Sequence, residues 1–169
     1  EGYIDAAASK INQKLTELRE ADNDRLCRRW VWELMQNAND CANPLVSIKI
    51  QHYNNILEFS HNGKLFNYRY LMNLVTQIST KESNEEDAIG KFGTGFITTH
   101  LLSEKVRIQG LFLNEISNKK TELDFLLDRS GQNIFEVKKQ VIESLENLKQ
   151  LSVFQQTNPT NYEIDYPTK

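Results

Sequence analysis

Two apolar-rich segments separated by a turn restrict the fold more than any other feature of this chain. Residues 45–50 alternate between apolar and polar side chains, and residues 56–59 form a second short apolar-rich run. Tyr53-Asn54-Asn55 lies between them, and asparagine tolerates the left-handed backbone of tight turns. The pattern predicts a β-hairpin. Because hairpin strands pair antiparallel, this argues against a purely parallel sheet.

The rest of the chain mixes helical and strand patterns. We predict helices over residues 5–19, 25–41, 67–75 and 96–102, and strands over residues 106–113, 121–127 and 162–166. A last amphipathic helix has one apolar face, made of Ile134, Val137, Val141, Leu145, Leu148 and Leu151. Packing of this face on the sheet of its own domain is favoured over packing on a neighbour. We therefore expect an α+β protein with a mixed, mostly antiparallel sheet and helices on one face.

Length and composition exclude several classes of protein. The 169 residues are enough for one domain, and 39% of them are hydrophobic, which allows a core. The net charge of −3 gives no bulk attraction to nucleic acid. No apolar run reaches the ~20 residues that cross a bilayer, and the start of the chain lacks the features of a signal peptide. We expect a cytoplasmic piece of a larger protein, with no membrane contact.

A polar stripe on the helix predicted over residues 25–41 is the first candidate for chemistry. Glu33, Asn37 and Asp40 are spaced by one helical turn each, so they share a face. A solvated helix face is the usual explanation of such a stripe. The chemical alternative is that an asparagine oxygen binds Mg²⁺ while a glutamate one turn earlier polarises a water molecule.

Two glycine-containing segments and a polar loop follow the hairpin. His61-Asn62-Gly63 ends the second strand, and residues 77–87 are polar and acidic, which predicts a mobile loop. A glycine-rich turn then leads into the helix predicted from Phe96. Main-chain N–H groups in such a turn can bind an anion. Each segment alone has an ordinary explanation as a turn.

The order and spacing of these segments resemble the GHKL superfamily, which includes gyrase-type topoisomerases, ninety-kilodalton heat-shock chaperones, histidine kinases and MutL proteins. The helix is similar to the N-box, and the two glycine segments are similar to the glycine motifs that flank the ATP lid, here residues 77–89. Within the superfamily, QNA-D, F-HNG-F and GKFGTGF look most like the sacsin-type branch. The resemblance weakens after about Leu113. It implies a Bergerat fold, a two-layer α/β sandwich.

The resemblance also implies a role for each matching residue. Glu33 would be the general base, Asn37 would ligate Mg²⁺ between the phosphates, and Asp40 would line the nucleotide pocket. Thr80 and Lys81 would approach the nucleotide from the lid, although an exposed lysine is an equally good explanation of Lys81 and of Lys91. The second glycine motif would hold the phosphates with Gly90, Lys91, Phe92, Gly93, Thr94, Gly95 and Phe96.

The first glycine motif departs from the superfamily pattern at one position. Relatives in the superfamily usually have an aspartate where this chain has His61, and its carboxylate accepts the adenine amino group. A neutral imidazole can accept one hydrogen bond through its unprotonated nitrogen. Either His61 or Asn62, next to Gly63, would then bind the base.

The function implied is Mg²⁺-dependent binding of ATP, with slow hydrolysis that switches a larger chaperone-like or sacsin-like protein. The partners would be ATP, ADP, Mg²⁺ and the downstream domains of the same polypeptide, and a second copy of the chain is an open alternative. Two alternatives stay open: a nucleotide-gated interaction module without hydrolysis, and a DNA-handling ATPase of the MutL or topoisomerase type. The acidic charge of this domain makes nucleic acid an unfavoured partner.

Overall fold

The computed structural model describes residues 2–21, 28–78, 95–157 and 164–169. The α-helices in them are α1 (Gly2–Glu20), α2 (Arg29–Asp40), α3 (Tyr68–Thr76) and α4 (Ile134–Thr157). The strands are β1 (Ile48–Tyr53), β2 (Ile56–His61), β3 (Lys105–Asn114) and β4 (Lys119–Asp128). The short helix Phe96–Leu101 precedes β3. The chain is therefore α+β, as predicted.

Both pairs of consecutive strands are antiparallel hairpins. β1 pairs with β2 from Ile48 opposite His61 to Tyr53 opposite Ile56, which confirms the predicted first hairpin. Asn54 and Asn55 make its turn with φ values of 46° and 61°. This left-handed conformation is one that asparagine adopts more readily than most residues. β3 and β4 form the second hairpin.

A short segment at the end of the described chain connects the two hairpins. Thr168 forms antiparallel bridges with His61 of β2 and with Gly110 of β3. Gly110 has φ 148°, and a Cβ there would collide with the carbonyl oxygen of Pro167, so the close approach requires glycine. The predicted last strand is wrong where it can be compared, because residues 164–166 are irregular and pairing begins after them. Residues 162 and 163 lie outside the described residues.

The core consists of two apolar clusters. One lies between the second hairpin and the helices α3 and α4, with Ile108, Leu127 and Leu148 among its buried members. The other joins α1 to α4 through side chains that include Ile11 and Val141. Helix α4 therefore packs on elements of its own domain, as favoured by its apolar face.

Two local predictions are corrected. The segment from Phe96 is a 3₁₀ helix and not an α-helix, because its main-chain N–H groups donate to carbonyls three residues earlier, as Thr98 does to Gly95 at 3.0 Å, and this tighter helix is usual for short segments. The loop predicted from residue 77 begins with two packed residues. Gln77 is buried and caps α3, and Ile78 packs against the cluster of α1 and α4. The remaining lid residues, 79–89, lie outside the described residues.

None of the described helices has both the length and the apolar character that a bilayer-spanning helix needs.

Candidate functional site

On helix α2, one predicted site residue, Asn37, is buried. Asn37 is only 8% exposed and lies beside Ala38 and Cys41, which are also buried. Trp32 and Met35, in contrast, are exposed. A solvated helix face therefore does not explain Asn37, whose side chain belongs to the packed face of α2.

The glycine that precedes the 3₁₀ helix contacts α2 near its N-terminal end. A Cβ on Gly95 would collide with Oε2 of Glu33 and would lie 2.6 Å from Cδ of the same side chain. A side chain at position 95 would therefore require the Glu33 carboxylate to move. The structure thus brings together Glu33 and the last glycine of the second motif, which the sequence separates by about sixty residues.

The other glycine motif contacts the C-terminal end of the same helix. A Cβ on Gly63 would lie 2.7 Å from the carbonyl oxygen of Cys41 and 2.9 Å from its Cβ. The same carbonyl accepts a hydrogen bond from the N–H of Lys64 at 2.8 Å. Glu33 and Cys41 are eight residues apart, or about 12 Å along the helix axis. The two motifs therefore meet α2 at opposite ends, with Asn37 between them.

A cavity of about 480 Å³ extends along this helix. Its lining combines residues of α2, α3, the 3₁₀ helix, β2, β3 and the C-terminal segment, among them Asn37, Cys41, His61, Phe96 and Thr168. Glu33 and Gly95 are not part of the lining, but their neighbours Leu34 and Phe96 are. Concave, mostly apolar sites with a few polar groups are typical of small-molecule binding.

Two polar atoms of lining residues are buried without a hydrogen-bond partner among the described residues. They are Nδ2 of Asn37 and the hydroxyl oxygen of Thr168. An unpaired buried polar group is costly, so such atoms commonly mark the place of a ligand or water. Sequence reasoning missed Thr168, since its position depends on pairing with strands that are distant in the sequence.

His61 is buried, and its ring makes a local hydrogen bond. The N–H of Gly63 donates to Nδ1 at 3.1 Å. Burial lowers the pKa of His61 from 6.5 to about 4, so the ring is neutral near neutral pH. Because Nδ1 is the acceptor, the proton lies on Nε2. The lone pair that the predicted contact with adenine needs is therefore already used.

Asn62 also uses its side chain within the turn. Its Oδ1 accepts the N–H of Ser47 at 2.7 Å, and its own N–H donates to the Ser47 carbonyl at 3.2 Å. Asn62 is exposed and thus differs from His61, which is buried. These bonds hold the His61-Asn62-Gly63 turn against the start of β1.

The charged and thiol groups of α2 have distinct environments. Glu33 forms an ion pair with Nε of Arg29 at 3.1 Å. Burial and the nearby Asp40 raise the pKa of the Cys41 thiol to about 11. Cys41 is therefore protonated and a poor nucleophile.

Several predicted site residues cannot be placed. Thr80, Lys81, Gly90, Lys91, Phe92, Gly93 and Thr94 lie outside the described residues. Asp40 is half-buried on α2. Within the part of the chain that the structure describes, no three His, Cys, Asp or Glu side chains are grouped as a metal site. A Mg²⁺ ion held by Asn37 would not need such a group, because this metal keeps water and phosphate ligands.

The chain matches no protein-family model, no curated protein and no solved structure. The assignment of a function therefore depends on the residues and their geometry.

Proposed function

We propose that this chain is a Mg²⁺-dependent ATP-binding domain with a Bergerat fold. Slow hydrolysis of ATP would switch the conformation of a larger chaperone-like or sacsin-like protein, of which this is the N-terminal part. The observation that carries the proposal is the arrangement along α2. Glu33 meets Gly95 at one end, Cys41 meets Gly63 at the other, and a cavity lies along the helix between them.

Asn37 supports the proposal because its side chain is buried and incompletely bonded. The Nδ2 of this buried amide has no partner among the described residues, as is typical of a side chain that binds a ligand. Rotation of the amide by a half-turn places its oxygen where its nitrogen lies, so the same side chain can bind Mg²⁺. The ion would supply positive charge that binds the phosphates.

Glu33 has the place and the chemistry of a general base. Its side chain is 22% exposed, so water can reach it, and its carboxylate lies against Gly95 at the start of the 3₁₀ helix. A carboxylate in this position can take a proton from a water that attacks a phosphate. Before it can act as a base, the Glu33 carboxylate must break its ion pair with Arg29, whose Nε lies 3.1 Å from Oε1.

The binding test compares two asparagines of one helix. Asn37→Ala should weaken MgATP binding about tenfold or more, since it removes the proposed metal ligand. Asn39→Ala changes the same residue type at an exposed position and should leave affinity unchanged. Isothermal titration calorimetry with and without Mg²⁺ measures both. Equal affinity of the two variants would remove Asn37 from the site.

The catalytic test separates binding from turnover. Glu33→Gln keeps the shape of the side chain and should keep ATP binding while phosphate release falls about a hundredfold, the usual contribution of a general base. Glu146→Gln, at an exposed position of α4, is the matched control. If phosphate release of the Glu33→Gln variant equals that of the control, Glu33 is not the base.

The ion pair of Glu33 favours a second candidate, a nucleotide-gated interaction module without hydrolysis. If Arg29 keeps the carboxylate in the bound state, no base is available and the domain binds ATP without turnover. Arg29→Ala distinguishes the two candidates. In an ATPase, phosphate release is already detectable in the unmodified chain and should be preserved or raised. In a module whose base is held by Arg29, release should be undetectable in the unmodified chain and should appear in the variant.

A further inference from the structure

The sheet contains an open strand position between β2 and β3. Both strands pair with the C-terminal segment at the same residue, because Thr168 lies opposite His61 on one side and opposite Gly110 on the other. Neighbouring strands of a sheet are about 4.8 Å apart, so β2 and β3 are separated there by the width of one strand. Pairing with this segment extends to Lys169, whereas both strands continue for several further residues. We call the space between these further residues the strand position.

The two strands that flank the strand position are in matching register. Both run antiparallel to the C-terminal segment, so they are parallel to each other. Counted from their shared partner Thr168, Phe59 lies across from Ile108, and Leu57 lies across from Val106. These four residues all line the cavity along α2, so the two strands border the same space. One extended strand between them would therefore contact both members of each pair.

The main chain on both sides of the strand position has unused hydrogen-bonding groups. The N–H of His61 and both main-chain groups of Gln109 bond to the C-terminal segment. Because these groups point to the same side at every second residue of a strand, those of Leu57, Phe59 and Arg107 face the strand position. Among the residues that the structure describes, none bonds to them on that side. Open strand edges of this kind are binding sites for extended peptides.

We propose that the strand position binds an extended peptide segment of a separate polypeptide, antiparallel to β2 and β3. A strand that enters this position has a neighbour on each side, so both of its edges must be free. A strand of a folded sheet already uses at least one edge, so a second folded copy of this chain does not fit as the occupant. The partner is therefore a segment without a fold of its own. The proposal depends on the sheet alone and not on nucleotide binding.

The two faces of the strand position differ in polarity, which predicts the sequence of the peptide. On the face toward the core, Leu57 is apolar but 41% exposed, so an apolar neighbour would cover it. On the opposite face, Glu58 lies across from Arg107, and each already has an ion-pair partner. A neutral polar side chain therefore fits between these two charges. Because β-branched residues favour strands, a suitable peptide is Val-Thr-Val-Thr, with its valines toward the core.

Amide hydrogen exchange measured by NMR tests the proposal on the unmodified chain without nucleotide. In the free protein, the amides of Leu57, Phe59 and Arg107 should exchange fast, whereas those of Glu58 and Ile108, which point toward β1 and β4, should exchange slowly. Acetyl-Val-Thr-Val-Thr-amide at about 90% occupancy should slow the three fast amides about tenfold. Acetyl-Val-Val-Thr-Thr-amide has the same composition without the alternation and should protect them less. Equal protection by the two peptides would overturn the assigned register.

A variant tests whether the peptide lies beside β2. Leu57→Lys places a charge on the apolar face of the strand position and should abolish the protection by the alternating peptide. Ile116→Lys introduces the same charge at a fully exposed position between β3 and β4 and should leave the protection unchanged. Since Leu57 is already 41% exposed, its variant should fold, and circular dichroism checks this. Equal protection in the two variants would overturn the proposed place of binding.

Three other results would overturn the proposal. Unchanged exchange at millimolar concentrations of the alternating peptide would mean that the strand position binds no peptide. Slow exchange of Leu57, Phe59 and Arg107 in the free protein would mean that another part of the same chain already pairs with these strands. Protection that appears only as the protein concentration rises would indicate a second copy of the chain. None of these measurements involves nucleotide, so the proposed function is tested separately.

Discussion

The two ends of helix α2 are held by different kinds of contact. At the C-terminal end, Gly63 packs against the main chain of Cys41, and the Lys64 N–H donates to the same carbonyl. At the N-terminal end, Gly95 packs against the carboxylate of Glu33, the far end of a flexible side chain. A main-chain contact moves only with the whole helix, whereas a side chain can change rotamer. One end of the candidate site is therefore fixed, and the other can adjust.

This difference matches the two tasks of the proposed nucleotide site. The fixed end carries His61, a lining residue of the cavity whose ring is bonded to the Gly63 N–H, and binding a base requires groups with constant positions. The adjustable end carries Glu33, which must change partner before it can act as a base. Four measurements can test the contrast, and we describe them from the largest expected effect to the smallest.

The largest effect is expected at the fixed end. Gly63→Ala should lower the free energy of unfolding by about 3 kcal/mol, because the added methyl meets a carbonyl oxygen at 2.7 Å that only movement of the backbone can relieve. Urea denaturation measures the loss. Gly2→Ala is the matched control, since no described atom lies within 4 Å of the added carbon, and it should change stability by less than about 0.5 kcal/mol. Similar losses in the free energy of unfolding for the two variants would show that the C-terminal end of α2 is not fixed.

The second effect is a dependence of stability on pH that comes from His61. Burial lowers its folded-state pKa from 6.5 to about 4, so between these values the unfolded chain binds a proton that the folded chain does not. Stability is therefore complete above about pH 6.5 and falls as the pH drops toward 4. From about pH 7 to about pH 5, His61 should account for a loss of about 2 kcal/mol.

Urea denaturation at the two pH values, on the unmodified chain and on His61→Gln, isolates this contribution. The variant should lose less stability on acidification. His100, whose pKa burial also lowers to about 4, is present in both proteins and cancels in the comparison. Identical losses in the two proteins would show that His61 is protonated in the folded state.

Local sequence patterns predicted most of the elements, and contacts between distant segments account for the errors. The asparagine turn, the helix predicted over residues 67–75 and the apolar face of α4 each depend on neighbours a few residues away, and each is found in the structure. The segment after Phe96 is apolar enough for an α-helix, but it is only six residues long and its main-chain hydrogen bonds join residues three apart. The final strand was predicted from alternation alone, whereas its true position depends on Gly110 in β3.

In the candidate site, too, local sequence patterns predicted some features, whereas contacts between distant segments could not be predicted. Sequence spacing predicted that Glu33 and Asn37 share a helix with an apolar stripe, and it singled out both glycine motifs. It could not predict that Asn37 faces the packed side or that Gly63 and Gly95 meet opposite ends of one helix. It also assigned His61 as an acceptor, since the hydrogen bond from Gly63 that determines the tautomer is visible only in three dimensions.

The third effect tests the adjustable end with a double-mutant cycle. Gly95→Ala should cost about 1 kcal/mol, less than the change at Gly63, because the Glu33 carboxylate can rotate away. In a Glu33→Ala background the cost should fall by at least about 0.5 kcal/mol, since the obstructing group is gone. The parallel cycle of Gly63→Ala with Cys41→Ala should show no relief. Alanine at position 41 keeps the carbonyl oxygen and the Cβ that obstruct. If the cost of the glycine substitution fell in both cycles, the two ends of α2 would not differ in how firmly they are held.

The smallest effect concerns the partner of Glu33. Arg29 is 59% exposed in its ion pair with Glu33, and exposed pairs contribute little because water screens them. Arg29→Ala should therefore lower the free energy of unfolding by less than about 0.5 kcal/mol, as should Arg28→Ala at the exposed neighbouring position. Urea denaturation of both variants checks this. A loss above about 1 kcal/mol at Arg29 would mean that Glu33 is held firmly, and a carboxylate held in that way could not be released to act as a base.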